Sequence, residues 1–319
     1  MIKQLLFLLL PFLLFACGGS NLNQNTSPAK SSMDADAKAI FAKSETKLGD
    51  YWYQGKAEIS RFTLEQNRYK DVHPGEAILI FVTEDFLTDK QVKNERYENP
   101  NSTPILKNNF LRKFTTGIYD YSIMTSVFTP VETRKYPQTL KVTSSSQEWC
   151  GQTFMQLNFR KNAYRMQLHS YFEAEGDQDK KVSYAMLEDE LLNRIRMNPA
   201  SLPTGDFEMY PSTTYARLKH TSFEPQAVKA SLSDYQGDTF TGNNLQSYKV
   251  AFPDLNRELE IVFEKKSPYK IAGWKDRYPS AFDQQVRETI AKRTHLIMSD
   301  YWNKNSLEDH ELRSELGTD

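Results

Sequence analysis

Between residues 56 and 264 the chain repeatedly alternates apolar and polar side chains with a period of two, and this alternation decides the fold class. Tyr164, Met166 and Leu168 alternate with Arg165, Gln167 and His169. Tyr248, Val250 and Phe252 alternate with polar neighbours, and Leu259, Ile261 and Phe263 with Glu258, Glu260 and Glu264. A segment of this kind buries one face and wets the other, as strands of antiparallel sheet do. Tyr121, Ile123 and Val127 keep one phase while Met124 and Phe128 populate the other. Ala77–Val82, AILIFV, is apolar throughout and is expected to be covered on both faces. In Lys56–Glu65 the phase slips from Ala57 and Ile59 to Phe62 and Leu64, which a β-bulge near Ser60 and Arg61 would produce. The expected fold is mainly β: a large curved antiparallel sheet or partial β-barrel, flanked by about three helices.

Three segments carry helical spacing. Asp34–Leu48 is alanine-rich, has Asp34 as an N-cap and stops at Gly49. Tyr184–Asn198 places Leu187, Leu191 and Ile195 on one stripe before Pro199. Ala281–Asn303 places Phe282, Val286, Ile290, Ile297 and Tyr301 on one side, and is expected to cover the sheet's apolar face. The charged tail, 304–319, lacks such a face and is expected to fray. A single β-rich domain over 34–303 is the preferred organisation, with 199–205 the place for any subdivision.

The first residues read as an address. Lys3 precedes an apolar run, Leu5–Phe15, that is too short to span a bilayer as a helix, so 1–16 reads as a signal peptide. Leu14-Phe15-Ala16-Cys17 resembles a bacterial lipobox, which implies cleavage before Cys17 and its acylation. Several acyl chains on one residue make a stable membrane anchor. Residues 18–33 are small and polar, and would form a flexible tether of about 22 Å. The expected location is the cell envelope, at the periplasmic face of an outer membrane. The chain has 2 cysteines, so acylation of Cys17 leaves Cys150 as the sole thiol and no internal disulfide.

Motifs for chemistry are scarce. The sequence carries no glycine-rich phosphate loop, no G-x-S-x-G elbow, no H-E-x-x-H and no C-x-x-C. With 40 basic and 41 acidic residues there is no positive excess to hold nucleic acid. Cys150, followed by His169 on the next expected strand, is the sharpest pairing of a nucleophile with a base. Strand phase puts His169 toward water, and Cys150 reads better as a small hydrophobe packed beside Trp149. His73-Pro74-Gly75 reads as a turn, and Glu84-Asp85 as a solvated strand end. No catalytic residue, metal ligand or cofactor is assigned.

The stretch from Tyr51 to Trp274, with WYQGKAEISRF, KFTTGIYDYSIMTSVFTPV and SSQEWCGQTFMQLN, resembles a group of Bacteroidota envelope lipoproteins. Some members carry the label "septum formation inhibitor Maf". The nucleotide pyrophosphatases of that name pair Ser with Arg near the N-terminus and hold a divalent metal on acidic residues. That pattern is missing here, so the resemblance transfers no catalytic residue. The expected function is a non-enzymatic binding, carrier or scaffold module tethered to the membrane by its lipid, with an apolar ligand or an envelope protein as partner. A tethered hydrolase is the alternative.

Overall fold

The computed structural model describes residues 47–318. The signal peptide, Cys17, the tether and the helix expected over Asp34–Leu48 lie outside the described residues, apart from Lys47 and Leu48, which are not helical.

One sheet of 16 strands carries the fold. Strands β1 (Ala57–Arg68), β2 (Asp71–Leu87), β4 (Ser102–Thr116) and β5 (Tyr119–Pro130) run antiparallel in succession, with a short β3 (Val92–Lys93) folded onto the end of β2. The meander continues through β6 (Lys141–Glu148), β7 (Gly151–Arg160), β8 (Ala163–Ser170) and β9 (Gln178–Ser183). A second series follows: β10 (Met186–Leu187), parallel to β11 (Gly205–Tyr210), then β12 (Gln226–Asp234) and β13 (Leu245–Phe252). It ends with β14 (Arg257–Glu264), β15 (Ile271–Pro279) and β16 (Val286–Ser299). β16 pairs with β1 and fuses both series into one sheet. The outermost strands, β9 and β10, are separated in the chain only by Tyr184 and Ala185. Three Cα steps reach at most about 11 Å, so the sheet curls until its two ends nearly meet. The Tyr210 hydroxyl donates to the Ser183 carbonyl across that seam at 3.0 Å.

The helix expected over 281–303 is instead β16, followed by a 3-10 turn at Tyr301–Asn303. Its residues occur at helical spacing, but β1 and β15 flank the segment and satisfy its backbone on both edges. β-Branched Val286, Thr289, Ile290, Thr294 and Ile297 favour the extended form. The helix expected over Tyr184–Asn198 is shorter: a 3-10 turn at Glu188–Glu190 leads into α1 (Leu191–Met197). Two further helices are α2 (Thr213–Lys219) and α3 (Arg313–Leu316).

The slip of phase in β1 has two sources. The β1–β16 register does shift between Arg61 and Phe62, where Thr294 is the extra residue on β16. The pairing of β1 with β2 is regular throughout, however. Ala57 and Ile59 are buried on the outer face, in a cluster with Ile78, Ile80, Tyr301 and Leu316, while Phe62 and Leu64 belong to the inner core. The C-terminal segment therefore does not fray: Leu316 covers the outer face of β1 and β2, which is why AILIFV is apolar on both sides. His73-Pro74-Gly75 lies within β2, after a turn at Tyr69 and Lys70. Gly75 is needed for close packing there, since a Cβ would fall 2.2 Å from the Lys113 carbonyl oxygen of β4.

The inner face surrounds α1, every residue of which is buried. The Asn193 amide donates to the Leu106 carbonyl at 2.8 Å and to the Thr129 hydroxyl at 3.0 Å, fixing the helix to β4 and β5. Arg194 pairs with Glu190 at 2.7 Å, and Arg196 with Glu58 of β1.

Candidate functional site

Alternation along β4 turns Leu106, Asn108, Phe110, Arg112 and Phe114 toward the interior. Leu106 and Phe114 join the core, whereas Asn108 and Arg112 face a cavity of about 40 Å³. Leu192 of α1, Trp274 of β15 and the acidic turn preceding α1 contribute to its walls. Space of this size holds about three water molecules.

Two groups on this cavity lack partners. Asn108 is 1% exposed, and among the described residues neither its amide nitrogen nor its amide oxygen has a hydrogen-bond partner. The Nε of Arg112 is likewise unpartnered, and its guanidinium lies over the Phe110 ring at 4.2 Å and the Trp274 ring at 6.0 Å. Arg112 and Asp189 sit deep in the molecule yet keep some accessible surface, as groups bordering a cavity do.

The nearby carboxylates are committed elsewhere. Arg257 takes both oxygens of Glu188, at 2.6 and 2.7 Å, and both oxygens of Asp276, at 2.7 and 2.9 Å. Asp189 accepts the backbone N–H and hydroxyl of Thr213, at 2.9 and 3.1 Å. Burial pushes the Asp189 carboxyl up to about 7; Glu188 pushes the same way, while the Thr213 bonds and Arg112 oppose it. Burial likewise raises Asp276 against the pull of Arg257. Burial also pulls the Arg112 guanidinium below its ordinary value, opposed by Asp276 and Glu188. A guanidinium left without a carboxylate, a free amide and a carboxyl that titrates near neutrality thus meet in one enclosure. Perturbed groups of this kind gather at functional sites.

A second pocket of about 120 Å³ lies between β6, β7, β8 and α2. There Glu175 accepts from the Ser170 hydroxyl at 2.6 Å and lies 2.7 Å from Nδ1 of His220, while Arg217 stacks on Phe172 at 4.3 Å. Three hydroxyls separate the two spaces: Thr125 lies 3.2 Å from Ser144, which lines the outer pocket, and 3.4 Å from Thr214, which lines the inner cavity.

The residues singled out in the sequence stand apart from the cavity. Cys150 occupies the exposed tip between β6 and β7, not a packed position, and Trp149 beside it is 70% exposed. Its N–H donates to Glu148 at 2.7 Å, and a hydrogen bond to Glu148 with that residue's charge pushes the thiol up, away from a nucleophile's range. His169 is exposed on β8, opposite Phe154, with Asp177 at 3.5 Å. Phe154 lies about 13 Å along β7 from Cys150, so the two do not form a dyad. Glu84 pairs with Lys107 across β2 and β4 at 2.7 Å. Among the described residues no group of three or more His, Cys, Asp or Glu is placed to hold a metal ion.

Asn108 and Arg112 were missed in the sequence; the trace they left is their place in the stripe Leu106, Asn108, Phe110, Arg112, Phe114, where a polar residue needs a reason. The buried acidic turn was missed too, because a Glu-Asp-Glu run ordinarily signals solvent. Compared with known proteins, the chain matches no family model, no curated protein and no solved structure.

Proposed function

We propose that this chain is an envelope lipoprotein, anchored through Cys17, whose curled sheet encloses a binding site for a small polar molecule and does no chemistry on it. The observation that carries the reading is the pair of orphaned groups on the cavity wall, Asn108 and Arg112. A buried amide with no partner costs about 1–3 kcal/mol, and a chain that retains it gains when a ligand supplies the missing bonds. The size and lining of the cavity favour a compact polar ligand over an acyl chain, since pockets for larger apolar ligands run to several hundred Å³.

The hydrolase reading draws on Asp189, whose carboxyl titrates near neutrality beside Arg112. Of the inner hydroxyls, Thr125 bonds to Thr214 and to Ser144, Ser212 caps α2 at the Tyr215 N–H, and among the described residues no histidine or lysine lines the cavity to activate them. Binding without turnover is therefore the better account.

Two measurements test it. Native mass spectrometry of protein purified from its own envelope is expected to show one small molecule per chain; a bare chain mass in every preparation overturns the binding reading. Cys17→Ser is expected to move the protein from the membrane fraction to the soluble one and to abolish labelling by a fatty-acid probe; unchanged fractionation overturns the anchor.

A further inference from the structure

The inner cavity has a chemistry that narrows its ligand. Arg112 is a cation in the interior with no carboxylate of the described residues at ion-pairing distance, because Glu188 and Asp276 are both engaged by Arg257 and Asp189 by Thr213. A guanidinium offers paired N–H donors whose geometry matches a planar carboxylate. The Asn108 amide nitrogen is a further free donor on the same wall. Val127, beside Asn108 in the β4–β5 register, and Leu192, Leu259 and Ile261 line the same space, with Phe110 and Trp274 flanking the guanidinium. The lining thus sets a few polar donors among apolar side chains. A tetrahedral oxyanion would press oxygens on these apolar side chains, whereas a short alkyl carboxylate places its chain among them.

We propose that the inner cavity binds a short-chain monocarboxylate, of the size of acetate or propionate, with its carboxylate on Arg112 and Asn108, and that Asp189 takes up a proton as the anion enters. This rests on the binding reading above. The charge count supports the proton uptake. Arg112 from β4 and Arg257 from β14 balance Glu188 from the turn before α1 and Asp276 from β15, and Thr213 of α2 faces Asp189 with uncharged donors. With Asp189 neutral the group is electrically balanced, so a bound anion leaves one negative charge uncompensated, and an ionised Asp189 would make it two in a buried space. Asp189 already titrates near neutrality, so little further push is needed.

Isothermal titration of the full chain with propionate, propionamide and inorganic phosphate decides the matter. Propionate is expected to bind one per chain, with propionamide and phosphate weaker by about tenfold to a hundredfold. Repeating the propionate titration in two buffers of different ionisation enthalpy is expected to show nearly one proton taken up at pH 8 and almost none at pH 6. Asp189→Asn is expected to remove that difference, and Arg112→Gln to abolish binding. If Arg112→Gln fails to fold, the selectivity and proton uptake of the unmodified chain still decide. Equal binding of propionamide or phosphate overturns the carboxylate assignment, as does the absence of propionate binding. In either case, a different small molecule found on protein from its own envelope leaves the binding reading standing. If no small molecule is found there and none of the three probes binds, both fall.

Discussion

Arg196 of α1 and Glu58 of β1, 138 residues apart in the chain, form an ion pair from which solvent is excluded on both sides, with Nη2 and Oε2 at 2.7 Å. The Tyr51 hydroxyl donates to the same carboxylate, and the guanidinium lies 4.7 Å from the centre of the Trp52 ring. Burial pushes Glu58 toward its neutral form, but Arg196 and Tyr51 together hold its carboxyl below the usual range. The pair fastens the interior helix to the strand where the two series of strands join.

Removing one partner strands the other charge in the interior. Arg196→Met is expected to cost about 3–5 kcal/mol in urea melts, and Glu58→Leu with Arg196→Met to recover most of the loss. A double-mutant cycle checks it, and independent, additive effects would contradict the pairing.

Strand β16 makes a second test. Ala291 is fully buried, opposite Leu64 and Trp274, whereas Ile290 is only half-buried. Ala291→Asp is expected to cost several kcal/mol and Ile290→Asp about 1 kcal/mol, read as urea midpoints. A helix over 281–303 would reverse the order, because Ile290 would then face the core.

The alternation over β5, β8 and β13 was readable because each pairs with a neighbour in the chain and keeps one side largely wet, whereas the other face of β14 is covered at Val262 by Phe240. β16 was misread because its apolar residues recur at helical spacing, and one of its two partners, β1, lies at the other end of the chain, where no local pattern reports the pairing. The bulge near Ser60 and Arg61 was readable from the phase of β1, but the cover over Ala57 and Ile59 was not: it comes from Tyr301, expected in a helix, and from Leu316, in a tail that looked too polar to pack. The charges of Glu188, Asp189, Glu190, Arg194 and Arg196 are interior because each is partnered: Glu190 and Arg194 by one another, Glu188, Asp189 and Arg196 by residues that the fold brings to them. Arginine, and not lysine, at 194, 196 and 257 was the trace they left in the sequence.

Asp189 gives stability a pH dependence of definite sign. Its folded carboxyl titrates at about 7 against the ordinary 3.8, so the folded chain holds a proton that the unfolded chain has released. The contribution is fully present below the unfolded value, is lost as pH rises toward about 7, and is flat above it. Asp189→Asn is expected to flatten this part of the profile, so that its stability relative to the unmodified chain improves between pH 5 and pH 8. Parallel profiles from urea melts would contradict the buried, protonated state.

Cys150 is accessible but not activated. In a Cys17→Ser chain, where it is the sole thiol, iodoacetamide is expected to modify the folded protein more slowly than free cysteine at pH 8, because Glu148 disfavours the thiolate. Cys150→Ala is expected to change stability by less than about 0.5 kcal/mol. Protection from iodoacetamide until the protein unfolds would contradict its place at the hairpin tip.

The central claim is that Asn108 is held unsatisfied in the interior for the sake of a ligand, and Asn108→Leu tests it most directly. The leucine is close in volume and brings no polar atoms, so the ligand-free variant is expected to be more stable than the parent by about 1–3 kcal/mol, while losing the stabilisation that a ligand confers. Thermal and urea unfolding with and without ligand measures both quantities on the same samples. A rise in intrinsic stability together with loss of the ligand's effect is the predicted result. A destabilised variant that responds to ligand as the parent does would contradict the account, because Asn108 would then serve the fold and not the site.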